Sequence, residues 1–76
     1  MFTIYTQENC PNCLELKNFM KERNIQYTER NINEDYEAKA KLIMNDIEVT
    51  PALGIENNMF GGNLDYLTRK VLEVNG

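Results

Sequence analysis

The sequence predicts an α/β fold in the order β-α-β-α-β-β-α, with a small four-stranded mixed sheet flanked by three helices. Three observations carry this. Short runs rich in β-branched and aromatic residues alternate with longer stretches whose apolar residues recur at helical spacing. The first two such runs bracket one helical stretch, which is the pattern of a right-handed crossover between parallel strands. Near the end, two short apolar runs flank an asparagine pair, as in a hairpin, so an antiparallel edge joins the parallel pair.

The elements follow in order. Phe2-Thr3-Ile4-Tyr5-Thr6 reads as the first strand and Gln7-Glu8-Asn9 as a polar loop. Pro11 suits a first helical position, because its missing N–H has no helical partner to lose. Leu14, Leu16, Phe19 and Met20 continue that helix, and Asn24 can stop it. Ile25 to Ile32 fits a second strand. Asn33 can cap a second helix over 34–44, with Tyr36, Ala40, Ile43 and Met44 on one side. Asn45 to Thr50 is a loop, Ala52-Leu53-Gly54-Ile55 a third strand, Asn57-Asn58 a turn and Met59-Phe60 a fourth strand. Gly61-Gly62 breaks the chain before Asn63, which can cap a last helix carrying Leu64, Leu67, Val71 and Leu72.

At 76 residues the chain is expected to be a single domain, near the size at which one core only just suffices. A hydrophobic fraction of 42% and a charged fraction of 26% are those of a folded globular chain. The net charge of -4 opposes binding to a phosphate backbone, so no nucleic-acid partner is expected. No apolar run approaches the roughly 20 residues of a membrane span. Met1 leads straight into a strand-like run, without a basic leader or an apolar signal core, and the expected location is the cytoplasm.

The two cysteines, Cys10 and Cys13, stand at the junction of the first strand and the first helix. Four uses compete. A disulfide staple would close a very short loop and restrain little, because the entropic effect grows with loop length. A structural zinc site wants four Cys or His ligands, and the chain has no histidine and no third cysteine. Two buried cysteines acting as small apolar residues would need neither this spacing nor the proline. A redox pair needs both. Cys10 at a helix N-terminus meets free N–H groups and the positive dipole end, which favour a thiolate, the attacking species. Cys13, one turn later, can resolve a mixed disulfide, and Pro11 stiffens the turn between them. A C-x-x-C pair beside a β-α-β pattern is the recognised mark of this use.

With those residues in view, the sequence resembles the glutaredoxins, small thiol–disulfide oxidoreductases of the thioredoxin fold, over nearly its whole length. "CPNC" resembles the family's C-P-Y-C. "VTP" at 49–51 stands where the family carries its cis-proline, usually as T-V-P. "GGNLD" at 61–65 resembles the G-G-x-x-D segment that helps bind glutathione. The resemblance implies a thioredoxin-like fold, a dithiol mechanism with Cys10 as nucleophile and Cys13 resolving, no bound cofactor, no metal, and glutathione as a co-substrate. It also implies a substrate groove framed by Tyr5, Gln7, Pro11 and Asn12, by Val49, Thr50 and Pro51, and by Gly61, Gly62, Asn63, Leu64 and Asp65. A cis Thr50–Pro51 bond would turn the chain beside the cysteines and leave the Thr50 backbone free for an extended substrate. Gly61-Gly62 permits close backbone approach, the helix start after it suits a carboxylate, and Asp65 could hold the ammonium of a γ-glutamyl group.

Several positions depart from the family pattern. Asn12 replaces the usual Tyr, Gln7 stands where many members have Lys or Arg, and Leu64 takes a position often Ser, Thr or Asp. Glu8 and Glu15 flank the pair with negative charge, which predicts a less acidic Cys10 than is usual in the family. These departures point to a sister group, the NrdH-type redoxins, which draw electrons from a thioredoxin-reductase-like flavoprotein and commonly serve ribonucleotide reductase. "FGGNLD" nevertheless looks more like the glutaredoxin segment than like the sister group's W-S-G-F-R-P-D. The expected partners are therefore disulfide-containing proteins, with ribonucleotide reductase among them, and either glutathione or a flavoprotein as electron donor to a monomer. Rivals from other classes are a dimeric iron–sulfur or metal carrier using Cys10 from two chains, and a redox-regulated binding module.

Overall fold

Alternation along Phe2–Thr6 (β1) sorts its side chains onto two faces and makes it the pivot of the sheet. In the computed structural model, which describes residues 1–75, β1 is followed by α1 (Pro11–Glu22), β2 (Tyr27–Asn31), α2 (Tyr36–Met44), β3 (Ala52–Ile55), β4 (Asn58–Gly61) and α3 (Leu64–Asn75). The strand order is β2-β1-β3-β4. β1 runs parallel to β2 from Phe2↔Tyr27 to Thr6↔Asn31, and antiparallel to β3 from Phe2↔Ile55 to Tyr5↔Ala52. The β3–β4 hairpin closes at Ile55↔Asn58. The mixed sheet and the order of elements are those the sequence predicts.

The two faces are covered unequally. Phe2, Ile4, Leu53 and Ile55 pack against Leu16 and Met20 of α1 and Leu67 and Val71 of α3, forming the main core. On the other face Tyr5 and Ala52 meet Ala38 and Leu42 of α2 alone. Every residue of β3 is buried, since helices lie over both of its faces, so the strand reads as an unbroken apolar run.

Pro11 opens α1 as expected, with Cys10 as its N-cap. Asn24, at φ 56, follows the helix in the left-handed conformation that asparagine tolerates. Ile25 is not a strand residue. Its N–H donates to the Met20 carbonyl at 2.9 Å, which closes the helix end and delays β2 to Tyr27.

The second helix departs most from expectation. Its cap is Asp35, whose carboxylate accepts the Ala38 N–H at 3.1 Å, and the helix starts at Tyr36. Arg30 fixes that carboxylate through Nε at 2.8 Å. Asn33 serves the neighbouring loop instead, its side-chain oxygen accepting the Glu8 N–H at 2.8 Å. The buried face consists of Ala38 and Leu42, one turn apart, while Tyr36, Ala40, Ile43 and Met44 point to solvent. Against a single sheet face, a nine-residue helix buries only a narrow seam, and apolar spacing alone does not say which seam. Asn63 caps α3 as expected, accepting the Tyr66 N–H at 2.8 Å.

Candidate active site

The antiparallel register that pairs Tyr5 with Ala52 carries the chain leaving β1 and the chain entering β3 to one end of the sheet. There the Cys10 and Cys13 sulfurs are joined as a disulfide, with Cα atoms 5.3 Å apart. The cap geometry follows from sequence. Cys10 is extended at φ -119 and ψ 95, Pro11 fixes the first helical φ, and the Cys13 N–H donates both to the Cys10 carbonyl oxygen and to Cys10 Sγ, each at 3.1 Å. Cys13 is buried at 3% exposure beneath the first turn, whereas Cys10 is half-buried and faces outward.

From the opposite side comes the residue before the proline. The Thr50–Pro51 peptide is cis. Thr50 Oγ1 lies 3.6 Å and its carbonyl oxygen 3.7 Å from Cys10 Sγ. Cys10 and Thr50 thus meet across a sequence separation of 40 residues. Outward from Thr50 opens a groove of about 380 Å³, between the loop after β1 and the end of α2. Gln7 and Val49 line it together with Leu42, Ile43 and Lys39.

The remaining predicted residues are distributed around this centre. Pro11 and Asn12 are exposed on the first turn of α1. Tyr5 is buried under α2 with its ring against Gly54, and it borders a back-face cavity together with Arg30 rather than the groove. The glycine-rich corner borders a second concavity, separated from the groove by the stretch 46–49 that lines both. Gly62 sits at φ 151 with the Tyr66 ring packed over it, so that a β-carbon there would lie 3.0 Å from the ring. Asn63 is engaged as the helix cap, Leu64 turns inward against the core, and Asp65 pairs with Arg69 at 3.0 Å on the surface.

Lys39 and Tyr66 were not anticipated from the sequence. Lys39 supplies the groove with a cation one helix away from Gln7, and only the correct seam of α2 reveals that it faces that way. Tyr66 lies three residues beyond the cap Asn63, where the helix folds its ring back over Gly62.

Charge around the pair is mostly negative. Glu8, Glu15, Asp46 and Glu48 are exposed on the surrounding loops and on α1, against the single groove cation Lys39. Lys17, on α1, is held by Glu29 at 3.1 Å. Burial opposes ionisation of Glu29, yet hydrogen bonds from Thr6 and Lys17, with the Lys17 and Lys21 charges, outweigh it and hold the carboxyl below its ordinary range. Among the described residues no group of three or more His, Cys, Asp or Glu side chains is placed to hold a metal, and no helix is long and apolar enough to cross a membrane.

Comparison with known proteins adds to this geometry. The family model for glutaredoxins matches residues 2–59. The glutaredoxin-like protein NrdH of Lactococcus lactis subsp. cremoris (strain MG1363) is 31% identical over 62 residues, spanning 82% of this chain and 86% of the relative. The thioredoxin-like protein BC3987 superposes with a TM-score of 0.78 at 30% identity, over 91% of this chain and 97% of the other. The NrdH-redoxin of Escherichia coli, a glutaredoxin-like protein with a thioredoxin-like activity profile, superposes at 0.77 with 25% identity, over 90% and 91%. A disulfide-forming pair on a helix start, beside a cis-proline at one end of a mixed four-stranded sheet, defines a thiol–disulfide oxidoreductase of the thioredoxin fold. The chain belongs to the glutaredoxin family.

Proposed function

We propose that this chain is an NrdH-type dithiol carrier of the cytoplasm, its residues 1–76 forming a single domain, with Cys10 as the attacking thiol and Cys13 as the resolving one. The unequal burial of the two sulfurs carries the assignment: Cys10 meets solvent and Cys13 is closed off beneath it. The Cys10 thiolate attacks a substrate disulfide, forming a bond to one sulfur while the other departs with the electron pair and takes up a proton. Cys13, as thiolate, then attacks Cys10 Sγ, and the second substrate sulfur leaves reduced. Two electrons pass to the substrate and the pair ends as the disulfide seen here.

The electron donor in this reading is a thioredoxin-reductase-like flavoprotein, and the acceptors are protein disulfides, that of ribonucleotide reductase among them. Glutathione is disfavoured because its γ-glutamyl ammonium would have to displace Arg69 from Asp65, and because carboxylates of Asp46 and Glu48 share the groove with Lys39. The NrdH relatives weigh in the same direction. The test is to offer the oxidised protein glutathione with its reductase, or NADPH with a thioredoxin reductase, in separate assays. Reduction by the flavoprotein alone is expected, and reduction by glutathione alone would overturn the donor assignment. Cys10→Ser should abolish turnover, and Cys13→Ser should accumulate mixed disulfides.

A further inference from the structure

A thiolate at Cys10 needs stabilisation that the charged groups around it do not provide. Glu8 on its own loop, Glu15 on α1 and Asp46 and Glu48 on the loop before β3 all oppose a second anion. The cations are few: Lys17 is committed to Glu29, Arg69 to Asp65, and Lys39 shares the groove with two carboxylates. What remains is dipolar. The Cys13 N–H points at Sγ from 3.1 Å, and one side-chain donor stands on the facing loop, Thr50 Oγ1 at 3.6 Å.

We propose that the Thr50 hydroxyl is a catalytic donor that stabilises the Cys10 thiolate, in place of the basic residue missing at Gln7. The proposal rests on Cys10 being the attacking thiol. Thr50 presents two groups to the same sulfur, and they act on different protonation states. Its carbonyl oxygen, 3.7 Å away, can accept only from the S–H of the neutral thiol. Its hydroxyl can rotate its proton onto the anion, and a hydrogen bond to an ionised acceptor is about twice as strong as one between neutral groups. The hydroxyl bond therefore lowers the Cys10 pKa, while the carbonyl bond is a backbone feature that survives replacement of the side chain. Thr50→Val removes the first contact and keeps the second, in a side chain of the same shape.

The signature is a pH profile. Losing one charge-assisted hydrogen bond at a half-buried site raises the Cys10 pKa by about one pH unit. Below both pKa values the thiolate fraction falls tenfold for that shift, but the more basic sulfur is intrinsically more nucleophilic, so attack slows by only about threefold. Above both values each protein is fully ionised and Thr50→Val becomes the faster, again by about threefold. The two profiles cross, whereas simple damage to the fold would slow attack at every pH.

The measurement uses the Cys13→Ser protein, in which Cys10 is the sole thiol. Its pKa is read from thiolate absorbance and its attack rate on a small aromatic disulfide is followed from pH 5 to 10. Thr50→Ser, which keeps the hydroxyl, is expected to retain the unaltered pKa, and Thr50→Val to show the raised pKa and the crossing. An unchanged pKa in Thr50→Val overturns the proposal, as does a Thr50→Ser shift as large as that of Thr50→Val, which would assign the effect to the lost methyl. Turnover persisting in Cys10→Ser would instead remove the underlying reading of the pair, so the two failures are separable.

Discussion

Ile47 lies against the bare backbone of Gly61: a β-carbon built on Gly61 would stand 2.9 Å from Ile47 Cγ2 and 3.2 Å from Cγ1. The contact joins β4 to the loop that leads into Thr50, so the sequence needs a residue without a side chain there for steric reasons, independent of any ligand. Gly61→Ala is expected to lower stability by about 1–3 kcal/mol, because Ile47 is β-branched and cannot swing its γ-carbons aside. In the double variant with Ile47→Ala the loss should be smaller than the sum of the two single losses, as read from urea midpoints.

Glu29 gives an acid-side prediction. Its carboxylate accepts from Thr6 Oγ1 at 2.9 Å and from Lys17 Nζ at 3.1 Å. The net effect lowers its pKa, so the contribution is fully present above the unfolded value, about 4.3, and is lost as pH falls through the lower folded one. Thr6→Val should cost about 1 kcal/mol at neutral pH. The difference from the unaltered protein should shrink when unfolding is measured near pH 3, since the carboxyl is then neutral in both.

The seam of α2 can be tested by contrast. Leu42, 3% exposed, packs against Tyr5 and Ala52, whereas Met44 is 81% exposed. Leu42→Ala should destabilise by about 2–5 kcal/mol, while Met44→Lys should stay within about 0.5 kcal/mol of the unaltered protein. Equal losses in thermal unfolding would contradict the packing described for this helix.

Leu53 is one of six large side chains that are fully buried in the core. It is fully buried at the centre of β3, where the α1 and α3 side chains converge. Leu53→Ala should cost about 2–5 kcal/mol. In a domain whose total stability is about 5–15 kcal/mol, the remaining margin is small, and calorimetry should show a much lower midpoint.

Much of the fold was legible because its strands are short and distinct and its helix starts carry strong local signals. Pro11 after Cys10 and Asn63 before α3 act through geometry that neighbouring residues alone determine. The second helix was misread for the opposite reason. Three polar residues, Asn33, Glu34 and Asp35, precede it, and Arg30, paired with Asp35 from the adjacent strand, is part of what distinguishes the cap. The site shows the same division. The two cysteines declare themselves by spacing, whereas the Thr50 hydroxyl and the groove position of Lys39 depend on contacts made only after the sheet has formed.

That dependence has a consequence for the newly made protein. Thr50 follows Cys10 by 40 residues, so at about 5–20 residues per second synthesis reaches it roughly 2–8 s after the first cysteine. Until then Cys10 lacks the contact that Thr50 makes with its sulfur across the end of the sheet. Only when β3 docks antiparallel beside β1 does Thr50 reach Cys10, so that contact can form no earlier than the closing of this side of the sheet.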